Sequence, residues 1–245
     1  MPVLSIRSLR KSFLFGSAQS ARRTEALAGV DLDVDDGEIV GIVGGKGAGK
    51  TALLLCAAGL LRRDGGSIKW YGEQFAGGGC LPGLSLMPAV PTYYPFLTVR
   101  EVFDYYCPRE RDLSTRRARL IPAVAARLGL TNHLTATVGT LDIEILKRVA
   151  VAQALVDEAR VILFDGSLDA LGSGAALVHR VIRESIPNRP TIIATSRHAG
   201  ALAPVATRMV VMDAGRLTGS FSAIQPDSAF APLPALMRHI AERMH

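Results

Sequence analysis

Eight residues, Gly44-Gly45-Lys46-Gly47-Ala48-Gly49-Lys50-Thr51, place glycines around a lysine and a hydroxyl in the order G-x-x-x-x-G-K-[ST]. Glycine lets a backbone curl so that its N–H groups point inward, which suits binding to phosphate oxygens. Lys50 is placed to reach the outer phosphates of a nucleotide, and the Thr51 hydroxyl is a hard oxygen ligand suited to Mg²⁺. The flanks agree with that chemistry. Glu38-Ile39-Val40-Gly41-Ile42-Val43 reads as a buried strand before the loop, and Ala52-Leu53-Leu54-Leu55 as a helix whose positive N-terminus would face the phosphates.

The elements that must hold this loop alternate in type. Residues 3–7 and 28–35 alternate apolar and polar as strands, and Asp36-Gly37 turns the chain into the strand before the loop. The helix after Lys50 is expected to end near Gly59, and Arg62-Arg63-Asp64-Gly65-Gly66 reads as a turn. Short strands follow at 67–71 and 83–87. From Thr98 to Leu155 the pattern is helical, opening with Thr98-Val-Arg-Glu101 as a capping box. The apolar run at 160–165 reads as a buried parallel strand, 190–195 and 208–213 read as two more strands, and Leu233, Leu236, Met237, Ile240 and Met244 share one helix face. The whole predicts an α/β sheet with a helical insertion.

Length and composition bound the rest. A chain of 245 residues with 49% hydrophobic and 20% charged residues has the make-up of a globular protein with a sizeable core. No apolar run reaches the ~18 residues of a membrane span, and the first residues lack a signal-peptide profile. Cys56, Cys80 and Cys107 form neither a disulfide framework nor a zinc motif. The net charge of +6 is scattered in pairs such as Arg22-Arg23, Arg62-Arg63 and Arg116-Arg117, with no stripe interleaved with aromatics. Nucleic acid is therefore not an expected partner.

The order of these elements resembles the nucleotide-binding subunit of ATP-binding cassette (ABC) transporters. The resemblance rests on residues 26–40 leading into the loop, Gly65-Gly-Ser-Ile68, Tyr94-Pro-Phe-Leu-Thr-Val-Arg-Glu101, Val138-Gly-Thr-Leu141, residues 148–155, Val161-Ile-Leu-Phe-Asp165 and residues 208–216. It implies a single cassette over 1–245. A P-loop NTPase core with an antiparallel β subdomain would span about 1–88 and 156–225, a helical subdomain about 89–155, and a C-terminal helix about 232–245. It implies ATP and Mg²⁺ as cofactors, a second cassette subunit and membrane-spanning subunits as partners, and a cytoplasmic location on the inner face of the cell membrane. Gly44, Gly45, Lys46, Gly47, Ala48, Gly49, Lys50 and Thr51 would bind the nucleotide. Asp165 would join Thr51 at the metal, and Phe13 falls at the adenine-stacking position, where a plain core role is the alternative.

The departures from the family are concentrated where the chemistry would be. Gly166 stands at the catalytic glutamate, Ala89 at the glutamine within 86–90, and Leu141-Asp142-Ile143-Glu144 at the Leu-Ser-Gly-Gly signature. Gly172 stands at the dimer-contact aspartate, and Arg197 at the switch histidine, with His198 one residue later. Asp142 and Glu144 would set carboxylates toward a partner's phosphates, while Asp142 also suits a helix cap. The implied protein holds Mg-ATP and hydrolyses it weakly or not at all, beside a competent cassette. It docks on membrane subunits near Val90-Pro-Thr-Tyr-Tyr-Pro-Phe96, in a layout similar to exporters of the ABC-2 type. The alternatives are an active homodimer that uses Arg197 and His198, and a soluble nucleotide-gated scaffold.

Overall fold

A computed structural model describes residues 1–16, 22–79, 81–106, 114–184 and 190–222. The 232–245 helix face, Cys80 and Cys107 lie outside the described residues, as do the side chains of Arg116 and Arg117. The first sheet is antiparallel and pairs β1 (Leu4–Phe15) with β2 (Arg22–Val34) and with β4 (Gly65–Trp70), which carries β5 (Glu73–Gln74) at the edge.

The second sheet runs β10-β9-β3-β8-β7-β6, with β3 at Ile39–Val43, β6 at Leu84–Met87, β7 at Val161–Asp165, β8 at Thr191–Ser196, β9 at Arg208–Asp213 and β10 at Arg216–Ser222. All neighbours are parallel except the β9–β10 pair. The strands follow the buried-run expectation closely. In β7 the side chains alternate between the two cores: Ile162 and Phe164 join one, Val161 and Leu163 the other.

Helix α1 (Lys50–Ala57) packs on the face that also receives β1, β2 and β4. The opposite face carries α2 (Val99–Tyr106), α3 (Ser114–Arg127), α4 (Ile143–Val156), α5 (Ala175–Glu184) and the short α6 (Ala199–Leu202). Two helix starts are chemically explicit. Glu101 Oε2 accepts from the Thr98 backbone N–H and from the Thr98 hydroxyl, both at 2.8 Å, while the Glu101 N–H donates to Thr98 Oγ1 at 3.2 Å. That is the capping box read in the sequence. At α4 the Asp142 carboxylate accepts from the Ile145 N–H at 2.9 Å, so Asp142 is spent on its own helix.

Two sequence expectations change, and one strand lies outside them. The first strand runs to Phe15 because it is one arm of a long hairpin with β2, whose solvent-facing residues break the alternation used to find it. Gly65-Gly66 is strand, not turn. Gly66 (φ 83°) sits where a Cβ would strike the Arg7 and Ser8 carbonyls, so glycine there permits close strand pairing beside a bulge. Strand β10 was not foreseen, since Arg216-Leu-Thr-Gly-Ser-Phe-Ser222 is mixed and glycine-interrupted; an antiparallel edge needs no apolar run.

Candidate nucleotide site

The carboxyl ends of β3, β8 and β7 lie side by side, so the residues just beyond Val43, Ser196 and Asp165 converge. Ligands of open α/β sheets bind at this end of the strands. Gly44 can only be glycine: a Cβ would fall against the Met212 carbonyl. Gly49 precedes α1 with φ 104°, and its Cβ would strike the Ala26 carbonyl. Gly47, at φ 84°, faces open space with no atom within 4 Å of a built Cβ. Buried Ala48 ties the loop down by donating to Gly45 O at 3.3 Å and accepting from the Gly215 N–H at 3.0 Å. Lys46 is exposed.

The Lys50 ammonium spans the loop, donating to Gly44 O at 2.7 Å and Gly45 O at 2.8 Å. Burial holds this lysine below its ordinary value, against the pull of Asp165 and then Asp169, while Arg197 adds to the lowering. Lys50 therefore shares its surroundings with two carboxylates and one guanidinium. Thr51 Oγ1 lies 3.1 Å from Asp165 Oδ1, and buried Thr195 donates to the same oxygen at 2.9 Å. Asp165 Oδ2 has no hydrogen-bond partner among the described residues. A hydroxyl and a carboxylate, both hard oxygens on adjoining elements, fit Mg²⁺, which takes one or two protein ligands and completes its shell with water and phosphate.

Beyond Asp165 the site is bare. Gly166 adopts φ 66°, with its N–H held by the Thr195 carbonyl and hydroxyl, both at 3.1 Å. A Cβ built there would stand 3.4 Å from Ala89 Cβ and 3.9 Å from Asp169 Oδ2. Gly166 and Ala89 are thus neighbours, and the space where two longer side chains could meet is empty of both. Arg197 and His198 are both exposed just after β8. Only Arg197 acts on Lys50 through its charge, and the His198 backbone is engaged with the Ser196 hydroxyl, accepted from N–H at 2.8 Å.

Phe13 lies on β1 opposite Thr24, half-buried against the α1-side core, with its ring 6.2 Å from that of Phe15 and the Lys11 ammonium 5.5 Å from its centroid. The Glu144 carboxylate lies over Gly172 of the same chain. Sequence reasoning missed Thr195, Asp169 and Lys147; an acid four residues beyond Asp165 was the available signal for the second of these. Lys147 is buried and donates to the Asp169 carbonyl.

The chain belongs to the ABC transporter family, as an ATP-binding subunit: the family model described as ABC transporter matches residues 27–168. The aliphatic sulfonates import ATP-binding protein SsuB of Rhodopseudomonas palustris is 34% identical over 221 residues, covering 88% of this chain and 72% of that protein. The ABC transporter ATP-binding protein YdbJ of Bacillus subtilis is 27% identical over 172 residues, covering 69% of this chain and 52% of that protein. The chain therefore spans only about half the length of some curated relatives and most of others. In fold it is similar to the crystallised ADP conformation of an ATP-binding cassette of an ABC transporter, with a TM-score of 0.75 at 17% identity over 100% of this chain and 98% of that one. No helix among the described residues is long and apolar enough to cross a membrane.

Proposed function

We propose that this subunit holds Mg-ATP in the loop 44–51, with Thr51 and Asp165 at the metal, and hydrolyses it slowly. In this reading it works beside a second, competent cassette on membrane-spanning subunits, in a transporter of the ABC-2 exporter type. The observation that carries the reading is the contrast on either side of Asp165. Lys50 is bonded to the loop carbonyls, and Thr51 and Thr195 share Asp165 Oδ1, while the residue after Asp165 is a left-handed glycine facing an alanine. A missing general base costs ~10²–10⁴ in rate but leaves phosphate binding intact.

The docking face proposed for the membrane subunits also has support. Tyr93, Tyr94, Phe96, Tyr105 and Tyr106 form one chain of ring contacts at centroid distances of 4.9 to 5.7 Å, and Phe96 is 70% exposed. Contiguous exposed aromatics of this kind serve as anchors at interfaces. Residues 105 and 106 extend the patch past the 90–96 stretch because α2 folds its last turn back onto it.

The test is a titration of the purified chain with Mg-ATP together with a turnover assay. The reading expects saturable binding lost on Lys50→Ala, with turnover far below that of an ordinary ATPase. Fast turnover dependent on Lys50 would instead support the active homodimer.

A further inference from the structure

Asp169 is the second carboxylate of this site, and its surroundings are those of a held side chain. Ser196, the last residue of β8, has a hydroxyl 2.5 Å from Asp169 Oδ1 and 2.9 Å from the His198 carbonyl. A hydroxyl carries one proton, and the shorter, charge-assisted contact takes it. Asp169 Oδ2 has no hydrogen-bond partner among the described residues, and it stands 3.9 Å from a Cβ built on Gly166. The backbone is fixed as well. The buried Lys147 ammonium donates to the Asp169 carbonyl, and Ala170, which follows, is held at φ 49°. A left-handed alanine costs ~1–2 kcal/mol, so its surroundings hold it there; such strained residues cluster at functional sites. The carboxylate also lies close enough to Lys50 for its charge to act on that ammonium, as the charge of Asp165 does more strongly.

We propose that Asp169 performs the task for which Gly166 has no side chain: its free oxygen Oδ2 holds the attacking water and takes its proton. This rests on the Mg-ATP reading above and assigns the slow turnover of that reading to one residue. In the step, the water oxygen bonds to the γ-phosphorus and the bond from that phosphorus to the β,γ-bridging oxygen breaks. The electron pair leaves on ADP, and the water proton passes to Asp169 and then to solvent. Ser196 and Lys147 act as positioning residues, one on the carboxylate and one on the backbone. The carboxylate of Asp169, tied to the end of β8 through Ser196, thus lies beside the position that a Gly166 side chain would take.

The experiment is single-turnover hydrolysis of radiolabelled Mg-ATP by excess purified full-length chain, with Mg-ATP affinity and thermal melting measured on the same samples. Lys50→Ala sets the baseline. Asp169→Asn keeps the shape and an acceptor for Ser196 but is not a base, so it should lower turnover about a hundredfold or to the baseline, with affinity within about twofold of wild type. Ser196→Ala should lower turnover about tenfold, since the carboxylate stays but swings. Asp169→Asn turning over like wild type overturns the proposal, and so does a wild type no faster than Lys50→Ala. A loss confined to melting temperature or affinity assigns Asp169 a structural role and also overturns it. Failure of the wild type to bind Mg-ATP is read separately and overturns the ATP reading itself.

Discussion

The carboxylate of Glu144, in the first turn of α4, occupies the space that a side chain on Gly172 would need. The side chain of one residue thus fills the space left by the missing side chain of the other. Gly172 lies at φ 51°, so a substituent there meets both backbone strain and the Glu144 oxygens. Gly172→Ala should destabilise the chain by about 1–3 kcal/mol in urea denaturation. Gly172→Asp should cost more, and adding Glu144→Gly should return part of the loss, a coupling of about 0.5–3 kcal/mol. Strictly additive effects would mean the two side chains do not share that space.

Placing a glutamate at Gly166 should not produce an ordinary ATPase. The left-handed backbone there makes Gly166→Glu cost ~1–2 kcal/mol, and the new carboxylate would face Asp169 across the gap. Turnover should change by less than about tenfold; a rise of ~10² or more would mean the missing carboxylate alone silences the site.

The β1–β4 junction should carry an acid-sensitive contribution to stability. Asp64 accepts from the Ser12 hydroxyl and N–H, both at 2.7 Å, and pairs with Lys11 at 3.0 Å, which holds its carboxyl down at about 2. A depressed folded value gives stability that is present above the ordinary carboxylate range and lost as pH falls toward about 2. Since the group is open to solvent, the contribution should be at most about 1 kcal/mol. Comparing melting temperatures of wild type and Asp64→Asn from pH 6 to pH 2 checks it. The gap should close as the pH drops, and a constant gap would contradict the assignment.

The aromatic patch should matter for assembly and not for nucleotide. Phe96→Asp should leave Mg-ATP affinity unchanged while reducing co-purification with membrane subunits at least tenfold, the scale of an interface anchor. Retained assembly with Phe96→Asp and Tyr94→Ala combined would remove the patch from the docking face.

Much of the fold was legible because buried parallel strands announce themselves as short apolar runs, and the phosphate loop carries its own spacing. Strand β10 and the glycine start of β4 were not, because edge strands are fixed by their neighbours and not by their own composition. The site divided in the same way. Lys50 and Thr51 follow from local pattern and Asp165 from the resemblance, whereas Thr195, Lys147 and Asp169 acquire meaning only when β7, β8 and α4 are brought together. The pairing of Glu144 with Gly172 likewise bridges two elements, and nothing local to either one signals the contact.

The measurement that bears most directly on the central claim sets Mg-ATP affinity beside turnover for the wild type and Lys50→Ala. Wild-type binding should be saturable at micromolar Mg-ATP and lost in the variant, with turnover about a hundredfold or more below the ~1 s⁻¹ typical of slow enzymes. Turnover near or above ~1 s⁻¹ that Lys50→Ala abolishes, or no Mg-ATP binding at all, would contradict it.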